Sequence, residues 1–116
     1  MPDQLYAVRD VVIDGLYRQV LKRIFFLRDP ERVHDGMTRV GERLGRHALT
    51  RALIDVAFGY QNKILEQEIL GVKFLNPIGL AAGFDKDAHL TQILPAVGFG
   101  FEEIGSVTGE YCAGNS

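Results

Sequence analysis

Two short stretches of this sequence pair small residues with polar ones in a way that can hold a flat, polar ligand. In Ala81-Ala82-Gly83-Phe84-Asp85-Lys86-Asp87, the small residues let a planar molecule lie close to the main chain, where a larger side chain would block it. Lys86 adds a mobile cation suited to a phosphate, a carboxylate or an electron-rich ring. On residue types alone, the plainer reading of Lys86 is a solvated lysine. The second stretch, Gly105-Ser106-Val107-Thr108, offers a main-chain N–H and two hydroxyls as donors. Familiar nucleotide loops are absent. Gly79 to Lys86 lacks the Gly-Lys-Ser/Thr spacing of a phosphate-binding loop. Gly98-Phe99-Gly100 precedes a strand instead of following one, and Glu103 stands where a third fingerprint glycine belongs. The histidines His34, His47 and His89 show no ligand spacing, so no metal site is expected.

Both stretches follow apolar runs, and that order predicts the elements that carry them. Ile78-Gly79-Leu80-Ala81-Ala82 is a continuous small-apolar run, the pattern of a strand buried on both faces. A helix is expected over about Ala88–Val97, with Pro95 kinking or shortening it. Phe101-Glu102-Glu103-Ile104 reads as a second strand. Strand, loop, helix, strand is a βαβ unit and implies parallel pairing, with ligands at the carboxyl ends of the strands. Just upstream, Leu65–Ile69 alternates and Leu70-Gly71 can turn. Val72–Phe74 can then return as a hairpin, which Asn76-Pro77 ends.

Before residue 60 the texture is helical. A first helix is expected from about Val11 to Leu27, with Val12, Leu16, Val20 and Ile24 on one stripe. A second restarts at Asp29-Pro30-Glu31, where Asp caps, Pro suits the first position and Glu favours the positive end of the dipole. Its stripe is Val33, Met37, Val40 and Leu44, and Gly45 is its stop. A third runs from about Leu49 to Phe58. These helices can pack as a subdomain. Alternatively, the first, basic and ending in Ile24-Phe25-Phe26-Leu27, can lie on a membrane surface. Periodicity does not choose between the two.

Composition bounds these readings. The 116 residues are 47% apolar and 24% charged, which excludes a disordered tail, a fibre and a nucleic-acid arm. One cysteine excludes a disulfide framework, and no apolar run is long enough to span a bilayer. Up to Tyr60 ten Lys/Arg face eight Asp/Glu, a net of +2; beyond it three face seven, a net of −4. The chain is therefore divided into 1–60, a helical extension, and 61–116, a β/α portion.

The run from Asn76 to Asp87, followed by Gly98 to Thr108, resembles the class 2 dihydroorotate dehydrogenases, the membrane-associated, quinone-linked branch of that family. Leu27-Arg28-Asp29-Pro30-Glu31-Arg32-Val33-His34 resembles their N-terminal helices, an extension that the soluble branch lacks. The resemblance implies an α/β fold, with the helical extension followed by the first two strands of a (β/α)8 TIM barrel. It implies FMN as cofactor, dihydroorotate oxidised to orotate in pyrimidine biosynthesis, and a membrane quinone as electron acceptor. By motif, Ala81, Ala82, Gly83, Phe84, Asp85 and Lys86 would line the flavin. Gly105 and Ser106 would donate to it, and Lys86 would also touch orotate. His34 would line a quinone tunnel. Peripheral membrane association, at the cytoplasmic face of a cell membrane or at an inner organelle membrane, is implied too, with no nucleic-acid partner.

Plainer readings stand beside these. His34 can be a surface histidine, Ser106 a hydroxyl bonding the main chain, and Asp85 and Asp87 flanking charges that orient Lys86. His47 and His89 read as solvated. Cys112 reads as structural, because the family's base lies on a loop much further along the barrel. The segment Gly109–Ala113 departs from the proline-rich continuation usual in the family, and Gly114-Asn115 recovers the pattern. A (β/α)8 barrel takes about 250 residues, so the chain is expected to be the N-terminal portion of such an enzyme, without the catalytic base. The alternatives are a short product acting as a membrane-surface or partner-binding helical module, and another FMN barrel acting on a different pyrimidine.

Overall fold

The computed structural model describes residues 2–112; Gly114-Asn115 lies outside them. The chain forms two compact units that divide between Val40 and Gly41, inside one helix. The charge and composition shift near residue 60 does not coincide with this division, since the third helix packs within the second unit.

In the first unit, α1 (Pro2–Leu16) runs through a π turn (Tyr17–Leu21) into α2 (Lys22–Phe26) without leaving helical backbone. The Lys22 N–H donates to the Tyr17 carbonyl, five residues back, which widens that turn by one residue. The helix begins at Pro2, well before the expected Val11, because Leu5 and Val8 extend the same stripe toward the N-terminus. That stripe faces solvent: Leu5, Val8, Val12 and Leu16 are all more than half exposed. After a turn, α3 (Pro30–Gly45) starts as its sequence predicts. Asp29 Oδ1 accepts from the amides of Glu31 at 3.0 Å and Arg32 at 3.2 Å, satisfying two of the first-turn donors.

The second unit opens with the last turns of α3 and continues into α4 (Ala48–Phe58). The Thr50 hydroxyl donates to the Leu44 carbonyl and the Arg51 guanidinium to that of Gly45, so the first turn of α4 satisfies the end of α3. The core is Leu90, Ile93 and Leu94, with Leu44, Ile54, Leu80 and Phe99 against it. Gly41 permits this packing, because a Cβ there would meet Leu90 Cδ2 at 2.5 Å.

Strands β1 (Gln67–Ile69) and β2 (Val72–Phe74) pair antiparallel, Gln67 opposite Phe74. Leu70 and Gly71 both have positive φ, 53° and 79°, the geometry of a two-residue hairpin turn. Strand β3 (Gly79–Leu80) pairs parallel with β4 (Phe101–Glu102), Gly79 opposite Phe101, through a connection containing α5 (Leu94–Val97). The parallel βαβ order is as the sequence predicts, and the chain is α/β. Two details differ. Ile78 is 61% exposed and Leu80 half-buried, so the run is not covered on both faces; β4 is the only strand beside β3 among the described residues. The helix expected over 88–97 is only Leu94–Val97. Ahead of it Ala88 takes a left-handed φ of 59°, which no helix continues through. Among the described residues, no helix is long and apolar enough to cross a membrane.

Candidate functional site

The site is built where β3 and β4 end. After Leu80 the chain turns, with the Phe84 N–H donating to the Ala81 carbonyl at 3.2 Å. Ala82 is partly buried, while Ala81, Gly83 and Lys86 are exposed. A Cβ placed on Gly83 would meet nothing within 4 Å. Packing inside the chain therefore does not demand a glycine there, and the open face leaves room for a ligand. From β4 the chain passes to Gly105, whose N–H donates to the Asp85 carbonyl at 3.2 Å. A Cβ on Gly105 would stand 2.6 Å from the Lys86 carbonyl oxygen and 2.7 Å from its Cα. The two stretches singled out by sequence, 81–87 and 105–108, are thus in main-chain contact.

Upstream, Asn76 fixes the entry to β3. It is 7% exposed; its Oδ1 accepts from the Ile78 amide at 2.9 Å and its Nδ2 donates to the Gly98 carbonyl at 3.0 Å. Gly98, at φ 98°, ends α5 in the left-handed conformation a glycine takes without strain. One side chain thereby ties the start of β3 to the end of the crossover.

Two of the expected flavin contacts, Asp85 and Gly105, are engaged within the chain, and His89 differs from its solvated reading. Asp85 is 1% exposed, and its two oxygens accept from the amides of His89 at 2.9 Å and Leu90 at 2.6 Å. Its carboxylate closes the loop and does not line an open face. Burial alone would raise its pKa, but the Leu90 amide, a hydrogen bond with Glu102 and the His89 amide together hold it below the ordinary carboxylate range. The Gly105 N–H is engaged by Asp85 and is not an open donor. His89 is not merely solvated: its Nδ1 lies 3.6 Å from Glu42 Oε2, and Glu42 also binds Arg46 at 2.6 Å. Lys86, Ser106 and the small residues 81–83 remain on the accessible side.

Glu102 carries the largest electrostatic departure here, and the sequence reading assigned it no role. Burial and the facing Asp85 carboxylate push its pKa up to about 7. Its Oε1 is buried and receives no N–H or O–H from the described residues. Strand alternation held a signal: in Phe101-Glu102-Glu103-Ile104 two adjacent glutamates must point to opposite faces.

The first unit holds a cavity of about 530 Å³ whose lining includes Ile24, Phe25, Val33 and Met37, together with Arg28 and Arg32. Val33 lines it, whereas His34, the expected lining residue, places its Nδ1 3.3 Å from Asp35.

A parallel β/α start with a small-residue loop, an exposed lysine and a second loop against it defines a binding end of the kind α/β enzymes use. Residues 64–116 match the family model for dihydroorotate dehydrogenase. The chain is similar to proteins named dihydroorotate dehydrogenase (quinone). That of Helicobacter acinonychis is 44% identical over 96 residues, covering 83% of this chain and 27% of that protein. That of Acidithiobacillus ferrooxidans is 46% identical over 98 residues, covering 83% and 26%. That of Christiangramia forsetii is 37% identical over 100 residues, covering 86% and 29%. The chain thus spans just over a quarter of the length of these relatives.

Proposed function

We propose that these residues form the N-terminal part of a quinone-linked dihydroorotate dehydrogenase: the helical extension and the first two strands of a (β/α)8 barrel that binds FMN. The observation that carries this reading is the main-chain contact between Gly105 and Lys86, which joins the two family motifs into one open-faced loop pair. The residues fit a flavin. Gly83 has an unfilled space where a Cβ would point, and Ala81 and Ala82 add little bulk. Bound FMN would supply the redox chemistry, carrying electrons from dihydroorotate to quinone. Lys86 would set its positive charge against the flavin and the carboxylate of orotate. Ser106 would donate its hydroxyl to the flavin. Asp85 does not touch ligand in this account; it fixes the turn from which Lys86 projects. The general base is not assigned to any residue of this chain.

The first unit supports the quinone and membrane parts of the proposal. Its cavity pairs apolar walls with Arg28 and Arg32, suited to a quinone head with a hydrocarbon tail. The exposed Leu5, Val8, Val12 and Leu16, with Arg18, Lys22 and Arg23 further along, suit peripheral attachment to a membrane of anionic lipid. The test is dihydroorotate-dependent quinone reduction by a yellow, flavin-containing enzyme of the relatives' length that carries residues 1–116. A colourless protein, or one inert toward dihydroorotate, would overturn the proposal.

A further inference from the structure

We infer that Glu102 is a proton-dependent positioning residue for the Lys86 loop: its protonated carboxyl donates to Asp85, and loss of that proton loosens the loop. Asp85 is fully buried and already accepts from the amides of His89 and Leu90, one on each oxygen. The side chain that hydrogen-bonds to it from β4 is another carboxyl, that of Glu102. Two carboxylates have no donor between them, so the contact forms only when one of them carries a proton. Asp85 is held ionised by its amide partners, so the proton resides on Glu102. Glu102 Oε1 is buried with no donor reaching it, and a neutral carboxyl tolerates that far better than an anion does.

The charged groups around the pair are few. Asp85 faces Glu102 directly. His89 acts on Asp85 through both its amide and its ring, and Glu42 and Arg46 from α3 face the His89 ring. Among the described residues, Asp85 is the charged group that acts on Glu102, and its charge opposes ionisation. Near pH 7 the proton therefore leaves to solvent, and the buried Asp85 carboxylate then faces the partly buried carboxylate of Glu102. The resulting repulsion acts on the bonds that hold Asp85 to His89 and Leu90, and through the Asp85 carbonyl on its link to the Gly105 amide. That linked backbone presents Lys86. The consequence for flavin rests on the function proposed above; the proton-dependent contact does not.

The test uses the full chain without flavin, following hydrogen exchange at the His89 and Leu90 amides from about pH 5 to about pH 8. After correction for intrinsic exchange, wild-type protection should fall by up to about tenfold per pH unit between the ordinary value of 4.5 and about 7, the limit for release of one proton, and level off above it. Protection in Glu102→Gln, which keeps a donor and cannot ionise, should stay level. Parallel profiles in the two proteins would overturn the inference. Should Glu102→Gln fail to fold, the ¹³C titration of the Glu102 carboxyl in the wild-type chain decides: a midpoint near 7 supports the inference and one in the ordinary carboxylate range refutes it. Neither readout involves flavin, so their failure would leave the proposed function standing.

Discussion

Gly105 lies against the main chain of Lys86, so close that a single methyl group on Gly105 would sit 2.6 Å from the Lys86 carbonyl oxygen. The neighbouring bond, Gly105 N–H to Asp85 carbonyl at 3.2 Å, runs between the same two loops. The end of β4 and the loop after β3 therefore move as one piece, and any ligand held by Lys86 and Ser106 depends on that junction. Gly105→Ala should push the loops apart, destabilising the chain by about 1–3 kcal/mol. The urea midpoint of the chain measures that cost, and flavin titration of an enzyme containing these residues should show weakened binding.

Removing the acceptor from the buried loop tests the role assigned to Asp85. In Asp85→Asn one of the two amides, His89 or Leu90, faces an NH₂ group in place of an oxygen. A buried donor left without its acceptor costs about 1–3 kcal/mol, and urea unfolding should show a loss of at least that size. The same substitution removes the charge facing Glu102, so the Glu102 midpoint should fall from about 7 toward the ordinary carboxylate range. Nuclear magnetic resonance of the labelled side chain reads it directly.

Stability should depend on pH in a direction fixed by Glu102. Its folded value, about 7, lies above the ordinary 4.5, so the folded chain holds that proton more tightly than the unfolded chain does. The corresponding stability is fully present below the ordinary value and is lost as pH rises to about 7. Asp85 acts oppositely: its lowered value contributes stability at higher pH, lost as pH falls below the ordinary carboxylate range. Glu102→Gln should therefore gain on wild type across the neutral range, by on the order of 1–3 kcal/mol at mildly alkaline pH. Urea unfolding of both proteins at acidic and alkaline pH checks it, and a constant difference would count against the account.

The start of α3 provides a local test. Asp29 Oδ1 accepts from both the Glu31 and Arg32 amides, so Asp29→Ala should cost about 1 kcal/mol. Circular dichroism during thermal unfolding should register a lower midpoint, and Asp29→Asn should recover most of it.

What the sequence disclosed and what it hid divide along physical lines. Asp29-Pro30-Glu31 and Leu70-Gly71 act through bonds to residues within a few positions, and both are where the sequence puts them. The parallel pairing of β3 and β4 followed from the order of apolar runs and turns. The buried position of the Asp85 carboxylate was not legible, because its orientation depends on amides four and five residues on and on Glu102 across the ladder. The same carboxylate helps explain the short α5: by binding the His89 and Leu90 amides it replaces the helical turn expected there, while Ala88 takes a positive φ. The early start of α1 follows from Leu5 and Val8, which continue its largely exposed stripe upstream of the expected Val11. The loop pair was legible as two motifs. Their contact was not, because it runs through main-chain atoms that side-chain patterns do not report.

The account's central claim is that Lys86 presents its ammonium to flavin and substrate from this loop pair. The most direct measurement is turnover and flavin content of Lys86→Ala in an enzyme of the relatives' length carrying residues 1–116. A loss of dihydroorotate-dependent quinone reduction by roughly 10²–10³-fold is predicted, the scale seen when one preorganised charge or donor is removed from a reacting site. Urea unfolding of the variant should match the parent, since the Lys86 side chain is exposed. Unchanged turnover with unchanged flavin content would contradict the claim.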